Sequence, residues 1–409
     1  MNGSEAGAEA RRVQRLEGGQ APCTPGRLSA YFLKLGLVGF GGPVALANTM
    51  RRDLVEERAW LTDSEYDEGL AIATACPGPL AYQLAVYCGF VRSGLPGALS
   101  VAVAFAVGPF VLVSLAAWAY VEYAATWQLR ALFYGIAPVI VALIVKACWN
   151  LGRKTLKRDH WAWILAGVVA ALTVLYRREL AIAFLLAGVM GVFLFRAGPN
   201  ELRQRESAGP PSKPAVHGLG VLAAAVASPV AKVFVFFFKT GLLVFGSGLV
   251  IVPFLKAYVV DQYHWLTERQ FLDSVAIGMI SPGPVVITAT FVGYLLQGFA
   301  GALAATAGIF APPVLFTVVA TPLLRRYRRN ARLQGFIRGI TSAVVGALIG
   351  TTWLVAQSAI GDLLTASVAA AGFAVVLLWK RFPEPALVLA AGIVGLVTYR
   401  WLQPAWVLR

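Results

Sequence analysis

Apolar residues in this chain come in long unbroken runs, not in the one-sided pattern of a water-facing helix. The runs fall near 27–50, 68–92, 96–121, 131–150, 161–176 and 180–196, and again near 218–256, 270–296, 299–324, 335–360, 363–379 and 385–402. A helix needs about 20 predominantly apolar residues to cross the hydrocarbon core, and roughly 17 at the least. Helices alone satisfy all their backbone polar groups within one such segment. The pattern therefore predicts an all-α polytopic membrane protein with about 10–13 transmembrane helices. Residues 1–26 have no apolar core after their arginines and are expected to be a disordered cytoplasmic tail. Residues 51–67 form a polar connector, and 197–217, with Gly209-Pro210-Pro211, a polar linker. Two membrane units remain, 27–196 and 218–409.

The two units repeat each other. An offset of 205 positions (283 minus 78) aligns Phe32 with Phe237, Lys34 with Lys239 and Gly36 with Gly241. The same offset aligns Phe40-Gly41 with Phe245-Gly246, Trp60-Leu61-Thr62 with Trp265-Leu266-Thr267, and Pro77-Gly78-Pro79 with Pro282-Gly283-Pro284. After a one-residue slip, Gly89-Phe90 aligns with Gly293-Tyr294 and Gly97-Ala98-Leu99 with Gly301-Ala302-Leu303. The chain is a tandem duplication.

Charge adds an orientation. In the first repeat the strongest basic loop, 153–158, follows the run at 131–150; in the second, 325–338 comes one run earlier, after 299–324. Basic loops face the cytoplasm, so equivalent helices of the two repeats are expected to point in opposite directions. That inverted topology needs an odd number of crossings per offset, and the extra apolar stretch Leu219–Ala231 would supply one.

Composition removes several other functions. Apolar residues make up 58% of the chain and charged residues 13%, which excludes a soluble domain. Lys plus Arg exceed Asp plus Glu by 15, but the excess lies in loops between apolar runs, where topology explains it better than nucleic-acid binding does. The four cysteines form no C-x-x-C pair and the three histidines lie far apart, so no disulfide framework, metal site or cofactor is expected. There is no phosphate-binding G-x-x-x-x-G-K-[ST] loop and no set of catalytic partners, so the chain reads as neither an ATP-driven pump nor an enzyme.

Chemistry concentrates at the Pro-Gly-Pro pairs. Proline removes a backbone donor and clashes with the preceding helical turn, and glycine loosens the backbone. Each Pro77-Gly78-Pro79 or Pro282-Gly283-Pro284 is expected to end one helix and start another inside an apolar run. Matching breaks in two halves are the mark of a transporter site near the midplane, where a half-helix's amides and positive end favour an anion. Ser281 would cap the new helix there, and Gln83 and Thr288 would line the same cavity. Gly41, Gly42 and Pro43, and Gly246, Ser247 and Gly248 in the second repeat, would break their helices too, serving close packing or leaving amides for a ligand. Lys34 and Lys239 are aligned cations that would either suit a divalent anion or snorkel to the interface. Glu68 and Asp273, nine residues before each Pro-Gly-Pro, are candidates for proton coupling or for pairing with a helix dipole.

These motifs resemble a known family. Phe40-Gly41-Gly42-Pro43, Val55-Glu56-Glu57-Arg58-x-Trp60-Leu61 and Pro77-Gly78-Pro79-x-x-x-Gln83-Leu84-Ala85-x-Tyr87-x-Gly89 are similar to the chromate ion transporter family. Pro282-Gly283-Pro284 with Phe291-Val292-Gly293-Tyr294, together with the duplication, resembles its long-chain, two-domain type. The chain departs from that pattern at Leu46 and Leu80, where many members carry polar side chains. The resemblance implies a multi-pass transporter of the bacterial inner membrane that expels chromate, coupled to the proton gradient or membrane potential. Its implied ligands are chromate or a sulfate-like oxyanion, with the lipid bilayer around it and homodimerisation open. Transport of sulfate or another small anion, and a non-transporting membrane scaffold or regulator, are the alternatives.

Overall fold

The computed structural model describes residues 23–40, 42–123, 126–156, 159–176, 181–195, 228–242, 244–246, 248, 251–327, 331–379 and 384–402. The expected tail, the linker 197–217, most of Leu219–Ala231, and Gly41 and Ser247 lie outside them. The first repeat consists of α1 (Pro25–Val38), α2 (Gly42–Arg51), a π-helical turn (Arg52–Glu57), α3 (Asp63–Ala75), a two-residue strand β1 (Gly78–Pro79), α4 (Leu80–Tyr123), α5 (Trp127–Thr155), α6 (His160–Tyr176) and α7 (Ala181–Leu194). The second follows the same order: α8 (Pro229–Gly241), β2 (Phe245–Gly246), α9 (Ile251–Phe254), a π-helical turn (Leu255–Gln262), α10 (Glu268–Ile280), a 3₁₀ turn (Val285–Ile287), α11 (Thr288–Tyr327), α12 (Ala331–Ala359), α13 (Leu363–Leu378) and α14 (Glu384–Leu402).

The duplication extends to backbone detail. Thr62 and Glu65 cap each other at the start of α3, as Thr267 and Gln270 do at the start of α10. Ala59 and His264, again 205 apart, are the two described non-glycine residues with positive φ, at 49° and 51°. In both places the two following amides bond back to one carbonyl, Leu54 O in the first repeat and Val259 O in the second, which fixes the strained turn. Where half one begins α4 directly, half two inserts its 3₁₀ turn. Three 3₁₀ residues rise about as far as four α-helical ones, roughly 6 Å, which accounts for the one-residue slip.

Among the described residues four helices are long and apolar enough to cross a membrane: Leu80–Tyr123, Trp127–Arg153, Val285–Val319 and Gln334–Ala359. Where they are described, the runs near 27–50, 68–92, 218–256 and 270–296 each double back as a hairpin. Arg92 pairs with Glu65 at 2.6 Å and Gly69 lies against the Tyr87 ring, so α3 and the first part of α4 run antiparallel about Gly78. Gly278 faces Thr288 in the same way about Gly283. Tyr31 bonds Asp53 at 3.1 Å, folding α1 against the π-helical turn; Phe236 stacks edge-on to Trp265, with ring centres 5.4 Å apart, in the second repeat. The 13 residues of α3 or α10 reach only about 20 Å, short of a hydrocarbon core of roughly 30 Å. A hydropathy window sees only the apolar side chains of both arms. Gly94 (φ 61°) and Gly298 (φ 57°) then turn the chain sharply out of each hairpin into the crossing part of α4 or α11. That crossing helix carries the stripe Leu99, Val103, Val107, Val111 and Leu115, exposed and facing lipid, while Ala102, Phe105 and Pro109 face inward.

The repeats are inverted. Tyr134, near the start of α5, donates to Asp362, beyond the end of α12, at 2.6 Å. Asp159, beyond the end of α5, pairs with Arg338, near the start of α12, at 3.0 Å. Tyr134 and Arg338 are repeat equivalents, so the two contacts are images of one another and require α5 and α12 to run antiparallel. Cys148 and its equivalent Thr352 meet at 3.2 Å on the axis between them. The Asp159–Arg338 pair also sets the end of α5, with Arg153, and the start of α12, with Arg338, on one face, as the charge pattern predicts. Each long helix accepts the other repeat's short pair: α12 packs on α6 and α7, and α5 on α13 and α14. Glycines allow the close approach, with Gly135 against the Ala391 carbonyl and Gly339 against that of Ala187.

The axial contact makes the arrangement testable. Thr352→Cys should form a disulfide with Cys148 under mild oxidation, seen as a link surviving cleavage within 197–217. Fragments that separate without reductant would exclude antiparallel α5 and α12.

Candidate functional site

Four backbone breaks, two per repeat, converge at the hairpin tips. Proline at 77, 79, 282 and 284 leaves glycine as the one donor within each Pro-Gly-Pro, and Gly78 (φ 139°) and Gly283 (φ 87°) adopt conformations that side-chain-bearing residues rarely enter. Gly78 N–H donates to Val244 O at 2.5 Å, and Gly283 N–H donates to Gly39 O at 2.9 Å. Gly39 and Val244 are 205 apart, as are Gly78 and Gly283, so each repeat's Pro-Gly-Pro tip is held by the other repeat's first break. Gly78 and Pro79 extend this contact as a short parallel pairing with Phe245 and Gly246.

That pairing revises the expected chemistry in two respects. The glycine amides of the two Pro-Gly-Pro motifs are engaged by protein. Gly248 is buried beside the amides that follow the second motif: a Cβ there would lie 3.2 Å from the amide nitrogens of both Val285 and Val286. Ser281 does not cap the new helix. It ends α10, with its N–H on Ile277 O and its hydroxyl donating to Gly278 O at 3.0 Å.

Gln83 and Thr288 are both fully buried beside the breaks. Gln83 Nε2 donates to Pro77 O at 2.6 Å, which fixes the amide's orientation and leaves Oε1 without a partner among the described residues. Thr288 turns back to donate to Val285 O at 2.8 Å. Gly42 (φ 77°) and the half-buried Pro43 start α2 at the tip of the first hairpin. Lys34 and Lys239 do not join this group; both are exposed, on α1 and α8, as snorkelling cations would be.

The aligned carboxylates have separate surroundings. Glu68 is partly buried on α3. Asp273 is 2% exposed, accepts a 2.7 Å hydrogen bond from Tyr120 of the other repeat, and has Arg269 Nε at 3.9 Å. Tyr120 and Asp273 lie 153 positions apart, and no sequence pattern links them. Charged staples at the hairpin bases also went unread, although the offset contains them. Arg51, at the end of α2, pairs with Asp63 at 2.9 Å, and its equivalent Lys256, in the second π-helical turn, pairs with Glu268 at 2.6 Å, each tying one arm to the start of the following helix. Lys256 is 4% exposed and also pairs with Asp261 at 3.2 Å. Among the described residues no cluster of His, Cys, Asp and Glu could hold a metal ion.

Comparison with known proteins converges on one family. The family model described as "Chromate transporter" matches twice, over residues 26–192 and 231–396, once for each repeat. A "Chromate transport protein" of Cupriavidus metallidurans is 42% identical over 92% of this chain and 94% of its own length. A "Probable chromate transport protein" of Synechococcus elongatus is 38% identical over 91% and 95%, and a "Chromate transport protein" of Pseudomonas aeruginosa 33% over 92% and 93%. No solved structure matches. Two family matches that together fill both repeats, and relatives that align with nearly the whole chain, place this protein in the chromate transporter family.

Proposed function

We propose that this chain is a secondary active transporter that exports chromate across a bacterial inner membrane by alternating access, driven by the proton gradient or the membrane potential. The observation that carries the reading is the reciprocal pairing of the hairpin tips, Gly78 with Val244 and Gly283 with Gly39. It gathers four backbone breaks, two helix starts and the buried Gln83 between inverted repeats, the arrangement from which secondary transporters build midplane sites. The relatives named for chromate transport supply the anion's identity.

In this reading the oxyanion sits against amides at the starts of α4 and the 3₁₀ turn, with the positive ends of both helices directed at it. The seat is formed by the tips around Gly42-Pro43, Pro77-Gly78-Pro79, Gly246, Gly248 and Pro282-Gly283-Pro284. Gln83 Oε1 accepts a hydrogen bond from the hydrogen-bearing form of the anion. Ser281 and Thr288 hold the second tip in shape by their backbone hydrogen bonds. Glu68 and Asp273 are carboxylates for coupling, kept away from the anion by the length of the hairpin arms.

Expression in a chromate-sensitive bacterium should lower cellular chromate accumulation and raise tolerance. Unchanged accumulation, with sulfate flux in proteoliposomes, would assign the chain to a different oxyanion; no flux of either would favour a non-transporting role. Gly78→Val or Gly283→Val should abolish extrusion, because a β-branched residue at these φ values costs on the order of 1–3 kcal/mol and displaces a tip. At Gly78 a Cβ would also lie 2.7 Å from the Gln83 amide. Gln83→Glu places a like charge beside the anion and should raise the half-saturating chromate concentration about tenfold or more, a cost of at least about 1.4 kcal/mol. An unchanged concentration dependence would remove Gln83 from the seat.

A further inference from the structure

We infer that Asp273 is a proton-binding residue on the face opposite the basic loops, and that its bond to Tyr120 is the contact through which the proton acts on the relation between the repeats. The inference rests on the transport reading above and names the residue that couples it.

Three observations meet at this position. The first is burial and partnership: a carboxylate 2% exposed accepts a hydrogen bond from a hydroxyl of the other repeat, α4's Tyr120 at 2.7 Å. Among the described residues the charged or titratable groups facing the carboxyl are Tyr120 and Arg269, the latter from its own helix at 3.9 Å. From α5 and α11 come apolar rings, Phe133 and Phe291, both edge-on to Tyr120. Lys256 of the π-helical turn is committed to Asp261 and to Glu268 at the start of α10. An ionised carboxylate in such surroundings depends on the hydroxyl and the guanidinium; a protonated one does not. Gain of a proton therefore weakens this tie between the repeats.

The second observation is asymmetry. The alignment pairs Asp273 with Glu68, which is only partly buried, and Tyr120 with Leu324, which has no hydroxyl to offer. The duplicated scaffold thus carries this cross-repeat bond in one orientation. The third is sidedness. Tyr120 lies at the end of α4 and Tyr134 at the start of α5, whereas α5's other end reaches Asp159 and the basic loops. With the basic loops cytoplasmic, Asp273 lies toward the external side, where an inward proton gradient delivers protons. A proton taken up there while chromate leaves gives antiport.

Everted membrane vesicles test this with labelled chromate. Wild-type uptake should rise when the vesicle interior is made acidic. Asp273→Asn should lose that stimulation and still exchange internal for external chromate in the absence of a gradient. Asp273→Glu should restore part of the stimulation. Tyr120→Phe, which keeps the ring packing and removes only the hydroxyl, should shift the pH dependence of uptake and guards against an Asn variant that fails to fold. Full gradient stimulation in both Asp273→Asn and Tyr120→Phe would overturn the inference while leaving chromate transport intact. Absence of chromate uptake by the wild type would instead overturn the functional reading on which it depends.

Discussion

Inside an apolar environment every freed backbone N–H and C=O must find a partner, at a cost of several kcal/mol where it does not. That requirement governs this structure. Four breaks lie at the tips of short hairpins, and the Pro-Gly-Pro amide of each repeat is satisfied by the other repeat. Proline removes two donors from each Pro-Gly-Pro, and the remaining glycine amide goes to a carbonyl exposed by the other repeat's break: Gly78 to Val244, Gly283 to Gly39. The two repeats are thereby joined at the one place where both are least regular. Any rearrangement that opens a path past the tips has to keep these bonds or exchange them for others, so the anion's route and the joint between repeats are the same few residues.

Around this joint the scaffold is held by symmetric exchange. The long helices α5 and α12 run antiparallel across the axis marked by Cys148 and Thr352, and each is enclosed by the short terminal pair of the other repeat. Glycine-to-carbonyl approaches at Gly135 and Gly339 bring helices to backbone contact, which suits lipid surroundings where van der Waals packing replaces a hydrophobic driving force. The hairpins are tied at their bases by different means. Capping boxes at Thr62 and Thr267 and the staples Arg51–Asp63 and Lys256–Glu268 fix where each hairpin begins, leaving the tips to be fixed by each other.

Much of this was legible in the sequence because it depends on residues with unusual backbones. Gly, Pro and the Trp-Leu-Thr caps repeat at a fixed offset, and that offset revealed the duplication, the paired breaks and, through Arg153-Lys154 and Arg325-Arg326, the inversion. The hairpins were not legible. A run such as 68–92 has the length and apolarity of a crossing helix, and whether Pro77-Gly78-Pro79 bends it slightly or turns it back is decided by what the tip can bond to, which lies 160 or more residues away. The same limit hid Tyr120 as the partner of Asp273. Lys34 and Lys239 were the opposite case: their alignment suggested a site, but a long flexible cation near the end of a segment reaches the interface at little cost, and both are exposed.

Inversion also constrains where directionality can come from. A rotation that exchanges two identical inverted repeats turns an inward-open conformation into an outward-open one, so a transporter with perfectly equal halves would hold both states at equal energy. Free-energy differences between the states must then reside where the repeats differ. Among the differences are a 3₁₀ turn where the first repeat has the first turn of α4 with the buried Gln83, and a buried Asp273 bonded across the repeats where the first repeat has a partly exposed Glu68. The glycine and proline pattern supplies the symmetric frame that permits two states. The polar side chains that break the symmetry set which state is favoured, and a ligand or proton shifts the balance only through its different contacts in the two.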